Sequence, residues 1–270
     1  ATQVDRIVVK GGRACAVHTH TGEEMSARYA VVGNVTVRNL FGKLLSPNDI
    51  SGRFRQRAQR YRYGPGTFII HLALDRMPDW RAADDLARFN YVHLNGSDAE
   101  IEQTYQASLR GLLPTRPLLV VSQTTPIDPS RAPPGKHVIR VHVRTVPARI
   151  EGDTAGKISA RNWADAKHAF AERILDLIAE KAPDLRTCII TQHIETPQDI
   201  ENENPNFVDG DCVSGSHHLG QNFFFRPLLG WSNYVTPVEG LYMIGASTWP
   251  GGGVNAGSGY LLARKLVQTS

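Results

Sequence analysis

The sequence predicts a mixed α/β fold in which both ends of the chain build one domain and the middle forms another. Three observations predict it: β-rich runs near the start, strands with one long amphipathic helix in the middle, and a strand, glycine loop and helix near the end. With 270 residues and 41% hydrophobic content, the chain can bury one large core or two modest ones. We place the domain boundaries near Leu45 and Tyr234.

The start of the chain is typical of an antiparallel meander. Its β-rich runs, separated by glycine turns, are residues 6–10, 14–19 and 29–32. The last run, YAVVGN, is short and apolar and ends at Gly33 and Asn34, as expected of a buried strand that joins a parallel sheet near a ligand. Because nothing earlier supplies that sheet and the chain lacks an initiator Met, we interpret it as a fragment.

The middle of the chain alternates strands with one helix. Strand-like segments are residues 67–75, 117–128 and 136–147, and in the third of these Arg140, His142 and Arg144 alternate with apolar residues. One face of the sheet is therefore exposed to solvent or lines a cleft. The segment 162–184 predicts an amphipathic helix with Asn162 as N-cap and Pro183 after its end.

Composition excludes several function classes. The net charge of +4 comes partly from an arginine cluster in residues 53–62, which favours a solvated helix face over an anion-binding patch. No aromatic stacking platform accompanies it, so we exclude nucleic acid, while contact with a membrane surface stays open. Neither the three separated cysteines nor the adjacent His217 and His218 suggest a metal site. Without a signal peptide or an apolar stretch long enough to span a bilayer, the default location is cytoplasmic.

The segment GASTWPGGGVNAGSGYLLARK, residues 245–265, places five glycines within the nine positions 251–259, just before a predicted helix. Small residues allow close backbone approach, and the first N–H groups of a helix attract anionic groups such as phosphate. A flexible turn is the alternative interpretation of such a run.

Together with TPQDIE, NPN and FFFRPLLGWSNYVTPVEGLY, this segment resembles the phytoene desaturase-like FAD-dependent oxidoreductases, which include carotenoid desaturases and retinol saturases. The resemblance covers essentially the whole chain. It implies a partial Rossmann-like FAD-binding domain from residues 1–45 and 235–270, with an inserted mixed-sheet substrate-binding domain at 46–234. It also implies hydride transfer between flavin and a lipophilic, often isoprenoid, unsaturated substrate.

The resemblance also assigns site residues. It implies that the cofactor contacts are Gly245, Ala246, Pro250, Gly251, Gly252, Gly253 and Val254. The candidate substrate contacts, each also explicable as core or surface packing, are Phe225, Arg226, Trp231, Tyr234 and Trp249. No catalytic side chain is assigned, because the flavin performs the hydride chemistry. For His71 the default interpretation is a buried, hydrogen-bonded histidine, with a place in a substrate cleft as the alternative.

Two features depart from the family pattern. Ala246 stands where many flavoproteins have an acid that binds the ribityl chain, and no GxGxxG motif is present. We therefore expect the parent protein to be the enzyme and this piece alone to be inactive, and the sequence leaves open whether this piece binds FAD. Two alternatives remain, a lipid-binding or protein-interaction module and an amine-oxidase-like flavoenzyme. A homodimer is also expected if the sheet edges are unpaired.

Overall fold

The computed structural model describes residues 2–253 and 255–269, which form two compact units. Unit 1 comprises residues 1–64, 205–208 and 213–270, and unit 2 comprises residues 65–204 and 209–212. Both ends of the chain therefore belong to unit 1.

Within its described residues, unit 1 has five strands and three α-helices, numbered in chain order over the whole protein. Its elements are β1 (Val4–Lys10), β2 (Arg13–Thr19), β3 (Glu24–Ser26), β4 (Val31–Gly33), α1 (Val37–Asn39), α2 (Gly52–Gln59), β12 (Leu241–Met243) and α7 (Gly257–Thr269). Strands β1, β2 and β3 form the predicted antiparallel meander, whereas β4 pairs in parallel with β12.

The third strand of the meander and the environment of YAVVGN differ from prediction. The meander closes with β3, and Tyr29 lies outside any strand with 81% of its surface exposed. Strand β4 has the predicted parallel partner, but Val32 is 46% exposed, so the prediction of a buried strand is wrong. The reason is that the β4–β12 sheet has two strands, and no further strand of the described chain covers it.

The unit boundaries also lie elsewhere than the predicted positions near 45 and 234. The units divide at 64/65 and again at 204/205, 208/209 and 212/213. Helix α2, with the predicted arginine cluster, belongs to unit 1 because Phe54 and Ala58 are buried in its core beside Phe41 and Tyr61. The segment 213–234 returns to the same core, where Leu228 is buried. Apolar packing thus assigns to unit 1 two stretches that the sequence predicts in the inserted domain.

Unit 2 is built on a five-stranded sheet in the order β11-β5-β9-β8-β6. Its elements are β5 (Gly66–Leu74), β6 (Tyr91–Leu94), α3 (Asp98–Leu109), β7 (Leu112–Leu113), β8 (Leu119–Gln123), β9 (His137–Val146), β10 (Gly152–Asp153), α4 (Trp163–Ala179), α5 (Leu185–Cys188), β11 (Ile189–Glu195) and α6 (Pro197–Glu203). Neighbouring strands of the large sheet run antiparallel, and β7 with β10 forms a small parallel pair.

Helix α4 covers one face of this sheet. Its N-cap is Asn162, as predicted, whose side chain accepts a hydrogen bond from the backbone N–H of Asp165. Phe170 packs edge-on against Phe68 of β5, and Ile174 is fully buried in the same core. Burial of such side chains is worth roughly 1.5–3 kcal/mol each. The opposite sheet face carries the polar residues of the alternating strand β9.

No helix within the described residues is both long and apolar enough to cross a bilayer. The same part of the chain places no three His, Cys, Asp or Glu side chains where they would share a metal ion.

Candidate functional site

The predicted strand, glycine loop and helix lie together in unit 1. Strands β4 and β12 end side by side, and the N–H of Ile244 donates to the carbonyl of Gly33. The chain then turns at Gly245, which has φ +93°. A Cβ at Gly245 would overlap Oδ1 of Asn34, so both conformation and space require glycine here.

A compact turn follows Gly245. The carbonyl of Gly245 accepts hydrogen bonds from the backbone N–H of Thr248 at 2.9 Å and from its hydroxyl at 2.8 Å. The N–H of Gly245 donates to Oγ of Ser258 in α7 at 2.9 Å. These bonds hold the strand end against the start of the helix.

Arg226 holds this turn in place. Its side chain is fully buried, and Nε and Nη2 donate to the carbonyl oxygen of Ala246 at 3.0 and 2.7 Å. Nη1 donates to the carbonyl of Ser216 at 3.2 Å, and Nη2 reaches that of Ser214 at 3.4 Å. Arg226 thus binds the backbone of the loop, and the alternative of a surface arginine is wrong.

Two of the three consecutive glycines, Gly251 and Gly252, have little room for a side chain. A Cβ at Gly251, which has φ +106°, would lie 2.9 Å from Cε1 of His217, and one at Gly252 would lie 3.1 Å from the carbonyl of Val213. Among the described residues, none accepts a hydrogen bond from the backbone N–H of Gly251, Gly252 or Gly253. Donors of this kind suit a polar or anionic group that approaches the backbone closely.

Helix α7 begins directly after the loop. The side chain of Asn255 accepts a hydrogen bond from the N–H of Gly257 at 2.9 Å, and a Cβ at Gly259 would meet Cδ1 of Ile244 at 3.9 Å. The predicted cofactor residue Val254 lies outside the described residues. Pro250 is exposed beside the glycines.

The predicted substrate residues do not form one cluster. Trp249 is partly exposed and its ring lies 5.2 Å from that of Phe223, which is 54% exposed. Tyr234 is buried with φ +70°, and its hydroxyl donates to the carbonyl of Trp249 at 3.1 Å. Burial alone raises the pKa of Tyr234. Trp249 and Phe223 therefore form an accessible aromatic pair next to the glycine loop.

The other two predicted aromatic residues have packing partners elsewhere. Trp231 lies edge-on against Phe54 in the core of unit 1, with ring centroids 5.2 Å apart. Phe225 is half-buried and contacts Phe224.

Sequence reasoning missed the polar partners that shape the loop. Asn34, Ser258 and Ser214 contact it from separate segments, and their residue types alone carry no sign of this role. The one available signal is that Asn34 directly follows β4, whose end lies beside the end of β12.

Unit 2 has a separate cavity of about 570 Å³ beside the edge strand β6. Trp80, Phe89, Leu94 and Leu177 contribute apolar walls, and Arg116 lies at its polar rim. A volume of this size is typical of small-molecule sites.

A sequence profile described as "Flavin containing amine oxidoreductase" matches residues 1–256. The chain belongs to this family of flavin-containing oxidoreductases. Its mixed α/β fold is that of the family, and the predicted resemblance to the phytoene desaturase-like branch is confirmed by the curated relatives.

Three curated proteins illustrate the relationship. The chain is 29% identical over 257 residues to pyridine nucleotide-disulfide oxidoreductase domain-containing protein 2 of Mus musculus, covering 92% of this chain and 43% of the relative. It is 27% identical to a subunit of limonene dehydrogenase from Castellaniella defragrans, covering 98% and 50%. It is 26% identical to the lycopene-forming phytoene desaturase of Pseudescherichia vulneris, covering 93% and 47%. The chain thus spans about half the length of these relatives.

Solved structures share the fold of this family member. An oxidoreductase from Methanosarcina mazei aligns with a TM-score of 0.57 at 15% identity, over 99% of this chain and 49% of that one. Cyclohexylamine oxidase from Brevibacterium oxydans aligns with a TM-score of 0.55 at 13% identity, over 99% and 48%.

Proposed function

We propose that this chain contributes the flavin-end site of an FAD-dependent oxidoreductase that transfers a hydride to or from an unsaturated lipophilic, isoprenoid-like molecule. The observation that carries the proposal is the glycine loop after β12, where side chains are excluded and backbone N–H groups are presented. Family membership supports flavin as the cofactor, and two relatives bear names of enzymes for limonene and phytoene.

The residues of the loop fit such a group. Gly245 turns the strand end, and the N–H groups of Gly251, Gly252 and Gly253 would face polar atoms of the cofactor. Flavin, when bound, supplies hydride transfer chemistry. Arg226 would keep the Ala246 carbonyl in place while these contacts form.

The aromatic pair suits the proposed substrate class. Phe223 and Trp249 present apolar ring surface beside the loop, which would exclude water and accept a hydrocarbon. Within unit 2, the cavity beside β6 independently offers apolar surface.

Amine oxidation is the second candidate, supported by the description of the family. It differs in substrate chemistry, since the reacting carbon would bear an amine. The same flavin site serves both reactions, so a substrate comparison separates them.

The experiment measures flavin binding first. Titration of the chain with FMN and with FAD, monitored by flavin fluorescence, should show similar weak affinities. The loop would contact the flavin end that both cofactors share, and the sequence lacks the GxGxxG motif that would bind the ADP half of FAD. Gly252→Leu should abolish binding by filling the space next to Val213. Gly42→Ala is the control, because a Cβ there meets no atom within 4 Å. Failure of both flavins to bind, or equal binding by Gly252→Leu, would remove the cofactor role from this chain.

Anaerobic incubation of the flavin-loaded chain then separates the substrate classes. Bleaching of the oxidised flavin bands with phytoene or limonene supports the first candidate, and bleaching only with cyclohexylamine supports the second. Retention of lipids without any redox change would favour a binding module.

A further inference from the structure

The polar face of the unit 2 sheet has an ordered pattern of side chains. Strand registers place two neighbouring rows across all five strands on the face opposite α4. The first row is Tyr91, Ser122, Arg140, His71 and His193, and the second row is His93, Val120, His142, Ile69 and Glu195. We call the first of these the donor row.

Most of the donor row is accessible. Arg140 and His193 are exposed, and Tyr91 is 57% exposed. The expectation that His71 is buried and hydrogen-bonded is wrong: its side chain is 40% exposed, and its Nε2 atom, though buried, has no hydrogen-bond partner among the described residues and lies 3.4 Å from Oε2 of Glu195. The imidazoles of His71 and His193 lie side by side, with ring centroids 6.1 Å apart.

The charges of this face favour an anion. Arg140 and Arg144 lie on the same side of β9, and Glu195 is the single acid in the two rows. Burial first, and then the charges of Arg140, Arg144 and His71, lower the pKa of His142 to about 4, while Glu195 opposes the shift. The cations therefore outweigh the acid at this position.

We propose that Arg140, His71 and His193 form a binding site for a ligand that carries a phosphate or diphosphate group. Neighbouring strands lie about 4.8 Å apart, so these three side chains span about 10 Å along one row. A guanidinium beside the imidazoles of the next two strands is suited to oxyanions, and a diphosphate offers two linked groups to adjacent strands. A site of this kind goes beyond the proposed redox function, because it belongs to unit 2 and its binding needs no flavin.

A metal site does not explain the same pattern. Among the described residues, these histidines and Glu195 do not form a group able to share a metal ion. Permanent positive charge from Arg140 also disfavours a cation.

Calorimetric titration of the full chain with sodium pyrophosphate, inorganic phosphate and octyl phosphate tests the proposal. Pyrophosphate should bind more tightly than phosphate, and octyl phosphate should match pyrophosphate only if the natural ligand also has an apolar part. In parallel, NMR spectra of the imidazole groups should show shifts for His71 and His193. His168, exposed on α4, should stay unchanged.

Two variants should change pyrophosphate affinity in opposite directions, and a third serves as their control. Arg140→Gln should weaken pyrophosphate binding by about tenfold. Glu195→Gln should strengthen it, because the acid near His71 repels the anion. Arg131→Gln, an exposed arginine of unit 2 paired with Asp128, is the matched control and should change binding by less than about twofold.

Equal binding by Arg140→Gln and the unaltered protein would overturn the proposal. So would an equal loss in Arg131→Gln, weaker binding in Glu195→Gln, or the absence of any binding of the three probes. Unchanged far-UV circular dichroism of each variant ensures that the comparison concerns folded protein.

Discussion

The buried guanidinium of Arg226 donates two hydrogen bonds to the carbonyl oxygen of Ala246, the residue directly after the strand-end glycine. Twenty residues of chain separate the two positions, yet they meet at the centre of the candidate flavin site. The contact joins the FFFRP segment to the glycine loop, so we expect this buried arginine to help hold the loop in its shape.

Replacement of this arginine should reveal that coupling. Arg226→Lys keeps the charge but loses the planar set of donors, so we expect the free energy of unfolding to fall by about 2–4 kcal/mol. Flavin affinity should fall as well, because the Ala246 carbonyl is no longer held. Urea denaturation and the flavin titration measure both effects.

Arg57→Lys is the control for this substitution. Arg57 also donates to a backbone carbonyl, that of Leu229 at 2.7 Å, but it does so in an exposed position. Its variant should lose less than about 1 kcal/mol. Equal losses in the two variants would contradict the special role of Arg226.

Gly245 should tolerate no side chain. Gly245→Ala combines strain at φ +93° with overlap between Cβ and the Asn34 carboxamide, so we expect a loss of about 1–3 kcal/mol in unfolding free energy. In the double variant with Asn34→Gly, only the overlap is relieved, and stability should return in part. Gly52→Ala, at the first position of α2 with open space around it, should be neutral or stabilising. Full tolerance of Gly245→Ala in denaturation experiments would refute this account.

The Arg173–Asp153 pair should make unit 2 sensitive to acid. Burial by itself would raise the pKa of Asp153, but hydrogen bonds from Arg173 and from the N–H groups of Ile158 and Lys157 hold it at about 2. A depressed carboxyl pKa contributes stability above the unfolded-state pKa near 4, and this contribution, about 2 kcal/mol, is lost as pH falls from about 4 to about 2.

Asp153→Asn should therefore lower stability at neutral pH and flatten its decline over that acidic window. Thermal unfolding monitored by circular dichroism at several pH values measures both. Asp128→Asn removes an exposed carboxylate paired with Arg131 and should leave the profile nearly unchanged. A steep acid decline in Asp153→Asn would disprove the assignment.

His142 should make stability depend on pH in a second, less acidic interval. Because burial, Arg140, Arg144 and His71 lower its pKa to about 4, the unfolded chain takes up this proton more readily between about pH 6.5 and 4. Stability from this group is therefore present above pH 6.5 and declines as pH falls toward 4. His142→Gln should flatten the stability profile in this interval, whereas His168→Gln, on exposed helix surface, should not. A decline of the same slope in both variants would argue against it.

Several elements of the fold were predictable from local pattern. The alternation of residues 139–144 gave a strand with one polar face, and Asn162 with the apolar periodicity after it predicted helix α4. The glycine run predicted the loop before α7 in the same way. These features depend on residues a few positions apart in the chain, so the local sequence pattern is enough to predict them.

The unit boundaries and the partners of the loop depended on distant contacts. Phe54 and Leu228 joined the core of unit 1, and Val32 stayed exposed because β4 has one strand beside it. Likewise the registers that align His71 with Arg140 and His193 connect three separate strands. A propensity pattern contains no information on which strand lies beside which.

The sequence by itself determined the family, the secondary structure around the glycine loop and the residue types that a flavin would need. The tertiary structure alone decided that the buried Arg226 donates to the carbonyl of Ala246 and that the Asn34 side chain leaves no space for a Cβ at position 245. It also decided that histidines from separate strands form one row. The physical reason is that backbone preference is local, whereas burial, hydrogen-bond partners and cross-strand register are set by packing between segments far apart in the chain.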